Sequence, residues 1–266
     1  MSADTAPPRN QTPATATATA ELSLTAVAAP VATAVRRPWI LMYHSVSDPA
    51  HDPYGIAVSP DRLDLQLRWL RARGLTGVSV AALLRACAQG RGRGLVGLTF
   101  DDGYADFADG ALPVLRRHGC TATLFVLPGR LGGDNVWDPD GPRRPLIDED
   151  GIRTAVAAGT EIASHGLYHV DLTRLDDDAL REETLRSRFW LREVTGRDPE
   201  GFCYPYGTVD GRVASAVRSA GYAYGCAIRP PAGLGGPYAL PRTHISQADR
   251  AVRLWAKRAG HRAGLR

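Results

Sequence analysis

Lysine is all but missing from this chain: Lys257 is the one lysine among 32 basic residues, and the rest are arginine. The arginines are scattered, apart from modest groups at Arg68, Arg71 and Arg73 and between Arg250 and Arg266. Each group holds a single tryptophan, Trp69 or Trp255, which is no sustained interleaving of aromatic and basic residues. The net charge of +4 therefore reads as solvated helix faces, and no nucleic-acid partner is expected. Cysteine is scarce as well. Cys87, Cys120, Cys203 and Cys226 include no C-x-x-C pair, which argues against both a zinc module and a dense disulfide framework. Cys87 falls on a helical pattern and Cys203 in an apolar run, so buried thiols are expected. No apolar run approaches the length needed to span a bilayer, so no transmembrane segment is expected.

What the chain has is 44% hydrophobic residues and enough length for a large α/β domain with a sizeable core. Residues 1–37 are set apart as an Ala/Thr/Pro-rich tail, expected to be disordered. Leu22 to Val35 is mildly apolar, but Glu21 precedes it and Arg36-Arg37 follow it. That is the reverse of the charge order in an export signal, so the expected location is the cytoplasm. Residues 38–266 are expected to form one domain.

Within that domain short apolar runs alternate with helical patterns. Trp39 to Met42, Thr76 to Val80, Leu95 to Leu98 and Ala122 to Leu127 read as strands. So do Thr160 to Ala163, Gly201 to Tyr204, Ala223 to Ile228 and Tyr238 to Ile245. Ser59-Pro60 is a helix start, followed by Leu63, Leu67 and Leu70 at helical spacing. Phe107, Ala111, Val114 and Leu115 make another helical face. Asp176 to Val194 is a charged helix with Leu185 and Phe189 on one side, closed by Gly196. Residues 128–147 form a long Gly/Pro/Asp-rich loop carrying Trp137, and loops of that length are often functional. The alternation predicts a mostly parallel α/β sheet, open or closed into a barrel.

His44, Asp101-Asp102, His165, Tyr206 and His244 each stand at or just past the end of a predicted strand. Ligands of parallel α/β folds bind at the carboxyl ends of strands, so these residues would share one rim. Neighbouring aspartates in an extended segment point opposite ways, and both serve one site only if the backbone turns. Gly103 supplies the freedom to turn. A carboxylate from that pair, with His165 and His169 four apart on an expected helical turn, suits a divalent metal with open positions for water and substrate.

The motifs Thr99-Phe-Asp-Asp-Gly103 and Ser164-His-Gly-Leu-Tyr-His169 resemble those of the polysaccharide deacetylases with the NodB homology domain. Tyr43-His-Ser-Val46, Val58-Ser-Pro60, Ala122-Thr-Leu-Phe-Val126 and Phe202-Cys-Tyr-Pro-Tyr-Gly207 resemble further signatures in family order, so the likeness runs from Pro38 to Ile245. The resemblance implies an irregular seven-stranded (β/α) barrel and a metal-dependent hydrolase that removes acetyl groups from N-acetylated sugars. It implies Asp101 as general base and Asp102, His165 and His169 as metal ligands, with zinc the expected ion and cobalt or another divalent ion as alternatives. It also implies the backbone N–H of Tyr206 as a donor to the oxyanion.

The rest stays open at this stage. His244, in a loosely spaced match to a late family motif, is the candidate to protonate the leaving amine, with His44, on the first strand's end, as the alternative. Trp137 can stack on a sugar ring or simply anchor its loop. Many family members carry an arginine where this chain has Cys203, so the base lacks its usual local guanidinium. Arg242, on the last predicted strand, is the candidate to replace it. An O-acetyl esterase or another C–N hydrolase would use the same metal site. A non-catalytic sugar-binding module is the rival from another class, disfavoured because every ligand position is kept.

Overall fold

The computed structural model describes residues 1–2 and 37–264, so the expected tail and the reading of its charge order fall almost wholly outside the described residues. Nine strands occur among the described residues: β1 Ile40–Tyr43, β2 Thr76–Val78, β3 Leu95–Phe100, β4 Thr123–Val126, β5 Glu161–Ser164, β6 Gly201–Cys203, β7 Tyr224–Ala227, β8 Leu240–Pro241 and β9 Thr243–His244. Every pairing is parallel, and the order along the sheet is β8-β7-β6-β5-β4-β3-β1-β9. Strand β2 pairs with the first half of β3, while β4 pairs with its second half.

The path therefore holds eight strands, where seven were expected. The extra one comes from splitting Tyr238 to Ile245 at a single residue. Strand β8 pairs with β7 and β9 pairs with β1, with Arg242 between them. Pro241 has no N–H to carry the ladder across the break. The two fragments bring the ends of the sheet together into a nearly closed barrel.

Among the described residues seven α-helices connect or follow the strands: α1 Pro60–Arg71, α2 Val80–Ala88, α3 Leu112–Arg117, α4 Glu149–Ala157, α5 Asp177–Thr195, α6 Gly211–Ser219 and α7 Ala251–Arg262. Five start at a capping side chain that accepts a backbone N–H from the first turn: Ser59, Ser79, Asp148, Asp176 and Asp210. Each such cap contributes about 1 kcal/mol and fixes where the chain leaves its loop. Side-chain alternation then sorts the core. Leu41, Tyr43, Leu98, Phe100, Leu124 and Val126 face the helices in one buried cluster. Ile40, Phe125, Ala163, Cys203, Cys226 and Leu240 form another, inside the barrel. In β3 the same alternation turns Thr99 and Asp101 inward.

Helix α5 is turned differently from the expectation. Leu185 and Phe189 are exposed, and the buried positions are Leu180, Glu183, Thr184, Ser187 and Leu191. The inward face is half polar because Ser187 meets Ser164 at 2.9 Å and Tyr222 Oη at 3.0 Å. Apolar spacing alone therefore pointed to the wrong face.

Candidate active site

The strand ladders run one residue past each strand and so fix the rim. Asp101 N–H donates to the Tyr43 carbonyl at 2.9 Å, and His165 N–H to that of Val126 at 2.9 Å. Tyr204 N–H donates to Cys226 at 3.1 Å and Ile245 N–H to Met42 at 2.9 Å. Beyond these points the backbone bends sharply. Asp102 has φ 69° and Gly103 φ 68°, so the turn starts at the second aspartate itself and swings its carboxylate to the same side as Asp101. Three non-glycine residues have positive φ among those described: Asp102, His169 and Tyr206. All three line one cavity of about 170 Å3. A left-handed non-glycine costs roughly 1–3 kcal/mol, and such strain concentrates at functional sites.

Asp101 is buried and gripped from one side. Arg242 donates from Nη1 to Oδ1 at 2.5 Å and from Nη2 to Oδ2 at 2.7 Å. The same guanidinium reaches Thr99 Oγ1 at 3.1 Å and Cys203 Sγ at 3.0 Å. Burial opposes ionisation of Asp101, but the charge and hydrogen bonds of Arg242 outweigh it and hold the carboxyl below the ordinary carboxylate range. His44 Nε2 stands 4.0 Å from Asp101 Oδ2 and lines the same cavity. His244 does not line it. Its ring lies edge-on to that of His44, 6.2 Å away between centroids.

Asp102 faces the two other histidines. Its Oδ1 lies 3.2 Å from His165 Nε2 and 3.4 Å from His169 Nε2. That oxygen is buried with no hydrogen-bond partner among the described residues. His165 Nδ1 bonds the Cys203 carbonyl at 2.8 Å, so Nδ1 carries a hydrogen and Nε2 is the ring atom left to act as a ligand beside Asp102. An oxygen and two imidazole nitrogens within 4.8 Å of one another, with the oxygen orphaned, match what a divalent cation needs from its donors. The residues fit a metal.

The segment between the histidines is a loop rather than the expected helical turn. Gly166 has φ 80° and His169 φ 62°, and residues 165–169 carry no helix. Glu183, from α5, holds this loop: its Oε2 accepts from Leu167 N at 2.6 Å and Tyr168 N at 3.3 Å. Nothing in the sequence distinguishes Glu183 from the other acids of that helix. Glu183→Ala is expected to leave the buried Leu167 N–H and the Tyr168 N–H unpaired and to cost about 1–3 kcal/mol. Glu183→Gln, which keeps an acceptor, should retain most of it. Urea titration of both variants measures the difference.

Of the remaining expected residues, Tyr206 stands on the rim with its side chain exposed. Its N–H falls in the first turn of the short helix Pro205–Gly207, which leaves it without an intrahelical acceptor. Trp137 reaches the cavity from the long loop. One face of its ring stacks on His169, with centroids 4.3 Å apart.

In a parallel barrel, polar side chains gathered at the carboxyl ends of the strands mark an enzyme's active site, and this rim carries a buried Asp-Asp-His-His group. The family model described as polysaccharide deacetylase matches residues 88–225, just over half of the chain. The chain belongs to the polysaccharide deacetylase family. It is 26% identical over 211 residues to YxkH of Bacillus subtilis, which carries the name of a polysaccharide deacetylase, across 78% of this chain and 71% of that one. It is 21% identical over 202 residues to the poly-β-1,6-N-acetyl-D-glucosamine N-deacetylase of Staphylococcus aureus, across 71% and 68%. Among solved structures, the deacetylase PplD of Streptococcus pyogenes in complex with acetate matches with a TM-score of 0.70 at 23% identity, over 83% of this chain and 97% of that one. IcaB from Ammonifex degensii matches with 0.65 at 23%, over 84% and 97%. These two likenesses are likenesses of fold.

Proposed function

We propose that this protein hydrolyses the acetamido group of an N-acetylated sugar polymer, using a divalent cation held by Asp102, His165 and His169. The observation that carries the reading is the pairing of roles in one small cavity. One aspartate is locked by a guanidinium, and its neighbour faces two imidazoles with an orphaned oxygen. The donor set suits zinc, with cobalt as a substitute. A bound cation of this kind polarises the acetyl carbonyl and brings water's pKa towards neutrality.

Asp101 takes the proton from the attacking water, and Arg242 keeps it ionised and aimed. The Tyr206 N–H donates to the oxygen that becomes negative as the carbon turns tetrahedral. His44 hands a proton to the departing amine, leaving acetate and a free amino sugar. His244 lies outside the cavity lining, and burial, with His44 and Lys257 beside it, lowers its pKa and disfavours its protonated form. Tyr54 and Tyr206 line the cavity with their rings exposed, and such rings suit the apolar faces of sugars. The name of the Staphylococcus aureus relative supports a β-linked N-acetylglucosamine polymer as the first substrate to try.

The test is acetate release from a panel of N-acetyl and O-acetyl saccharides, with and without chelator. Chelation is expected to abolish release from the N-acetyl substrates, and zinc or cobalt to restore it. Full activity in metal-free protein would defeat the reading. Release from esters alone would move the reaction to O-deacetylation.

A further inference from the structure

The two candidate metal-binding histidines are held by different means. His165 has a polar tether, the bond from Nδ1 to the Cys203 carbonyl. His169 Nδ1 is buried, and no hydrogen-bond partner reaches it among the described residues. Apart from the Asp102 carboxylate, what packs on the His169 ring is aromatic. Trp137 lies against its face at 4.3 Å and 21°, Tyr206 meets it edge-on at 4.6 Å, and His165 edge-on at 5.1 Å. An untethered imidazole turns freely about its outer bond unless packing stops it. Rings packed on its face and edge hold Nε2 on Asp102.

Trp137 is itself held in place by its loop. Asn135 is almost fully buried, and its Oδ1 accepts from Arg144 N at 2.7 Å. Its amide nitrogen donates to the Pro142 carbonyl at 3.3 Å and to Asp138 Oδ2 at 3.4 Å. Tyr104 Oη donates to Asp138 Oδ2 at 3.4 Å, and an antiparallel bridge joins Tyr104 to Leu146. These contacts fix the residues on either side of Trp137 against the end of β3. The loop therefore delivers the indole at a set height over His169.

We infer that Trp137 is a positioning residue of the cation site, holding His169 in its ligating orientation by stacking where His165 has a hydrogen bond. The inference rests on the reading of Asp102, His165 and His169 as a divalent-cation site. It gives Trp137 a different task from the sugar platform expected of it, since a face of the indole is already occupied. Trp137 acts through His169 and need not touch substrate.

The experiment measures zinc affinity by chelator competition, and the visible absorption of the cobalt form, in four proteins. These are wild type, Trp137→Ala, Trp137→Phe and Val136→Ala, the last an exposed neighbour in the same loop. Supporting partners of metal ligands typically contribute 10–100-fold in affinity, so Trp137→Ala should bind zinc about 10-fold more weakly, with altered cobalt bands. Trp137→Phe keeps an aromatic face and should return to near the wild-type affinity, and Val136→Ala should match wild type. Wild-type affinity and spectrum in Trp137→Ala overturn the inference and leave the cation site standing. A loss in Trp137→Phe equal to that in Trp137→Ala overturns it too, because stacking is then not what matters. Absence of stoichiometric zinc from wild type instead removes the cation site on which the inference depends.

Discussion

Asp101→Asn is expected to lower turnover by about 10²–10⁴-fold while the divalent ion stays bound. Asparagine keeps the shape of the side chain but cannot take a proton at neutral pH. It also disturbs the fork, since its NH2 group must face one of the two guanidinium N–H donors that now meet oxygens at 2.5 and 2.7 Å. Part of the loss would therefore be misplacement rather than missing basicity. Circular dichroism and bound-metal content separate that from unfolding. Asp102→Asn should behave differently, losing metal together with activity, because its orphaned oxygen faces both imidazoles. An equal fall in metal content in the two variants would show that the division of labour between the aspartates is wrong.

Arg242→Lys is expected to lower turnover by about 10–100-fold with metal and fold retained. The guanidinium makes four contacts inside the barrel, to both oxygens of Asp101, to Thr99 Oγ1 and to Cys203 Sγ. An ammonium is a point charge, so it satisfies one or two of these and leaves the carboxylate free to rotate. Arg242→Ala is more severe. It removes the guanidinium from a buried carboxylate, which costs about 3–5 kcal/mol of stability. Chemical denaturation of both variants, beside their rates, separates the loss of aim from the loss of stability. A lysine variant with wild-type turnover would show that geometry at Asp101 is unimportant.

The rim was legible because each candidate stood where an apolar run stopped, and parallel sheets put those stops on one side. Arg242 was legible through an absence. Cys203 stands where a guanidinium was expected, and a carboxylate buried beside it needed a donor from some other strand. Other features left no such trace. The four-residue step from His165 to His169 is the same in a helix and in a loop, and the left-handed backbone at Gly166 and His169 decides for the loop. The burial of Glu183 and Ser187 on α5 depends on partners in β5 and its following loop, so apolar periodicity misjudged that face. The stacking of Trp137 on His169 joins a loop to a distant turn. Residue types alone give no register for that meeting.

The split in the last strand has a consequence for the order in which the site comes into being. Asp101 and its guanidinium are 141 residues apart, and the segment that carries Arg242 is also the one that joins the two edges of the sheet. During synthesis both aspartates, His165, His169 and most of the barrel wall emerge first. They wait for a few residues near the end of the domain. Until those residues add their pairings to β1 and β7, the carboxylate has no counterion and the wall has a gap beside it. A chain interrupted before residue 242 would keep Asp102, His165 and His169 and still leave Asp101 without its guanidinium. Closing the ring and pairing Asp101 with its guanidinium are thus one event.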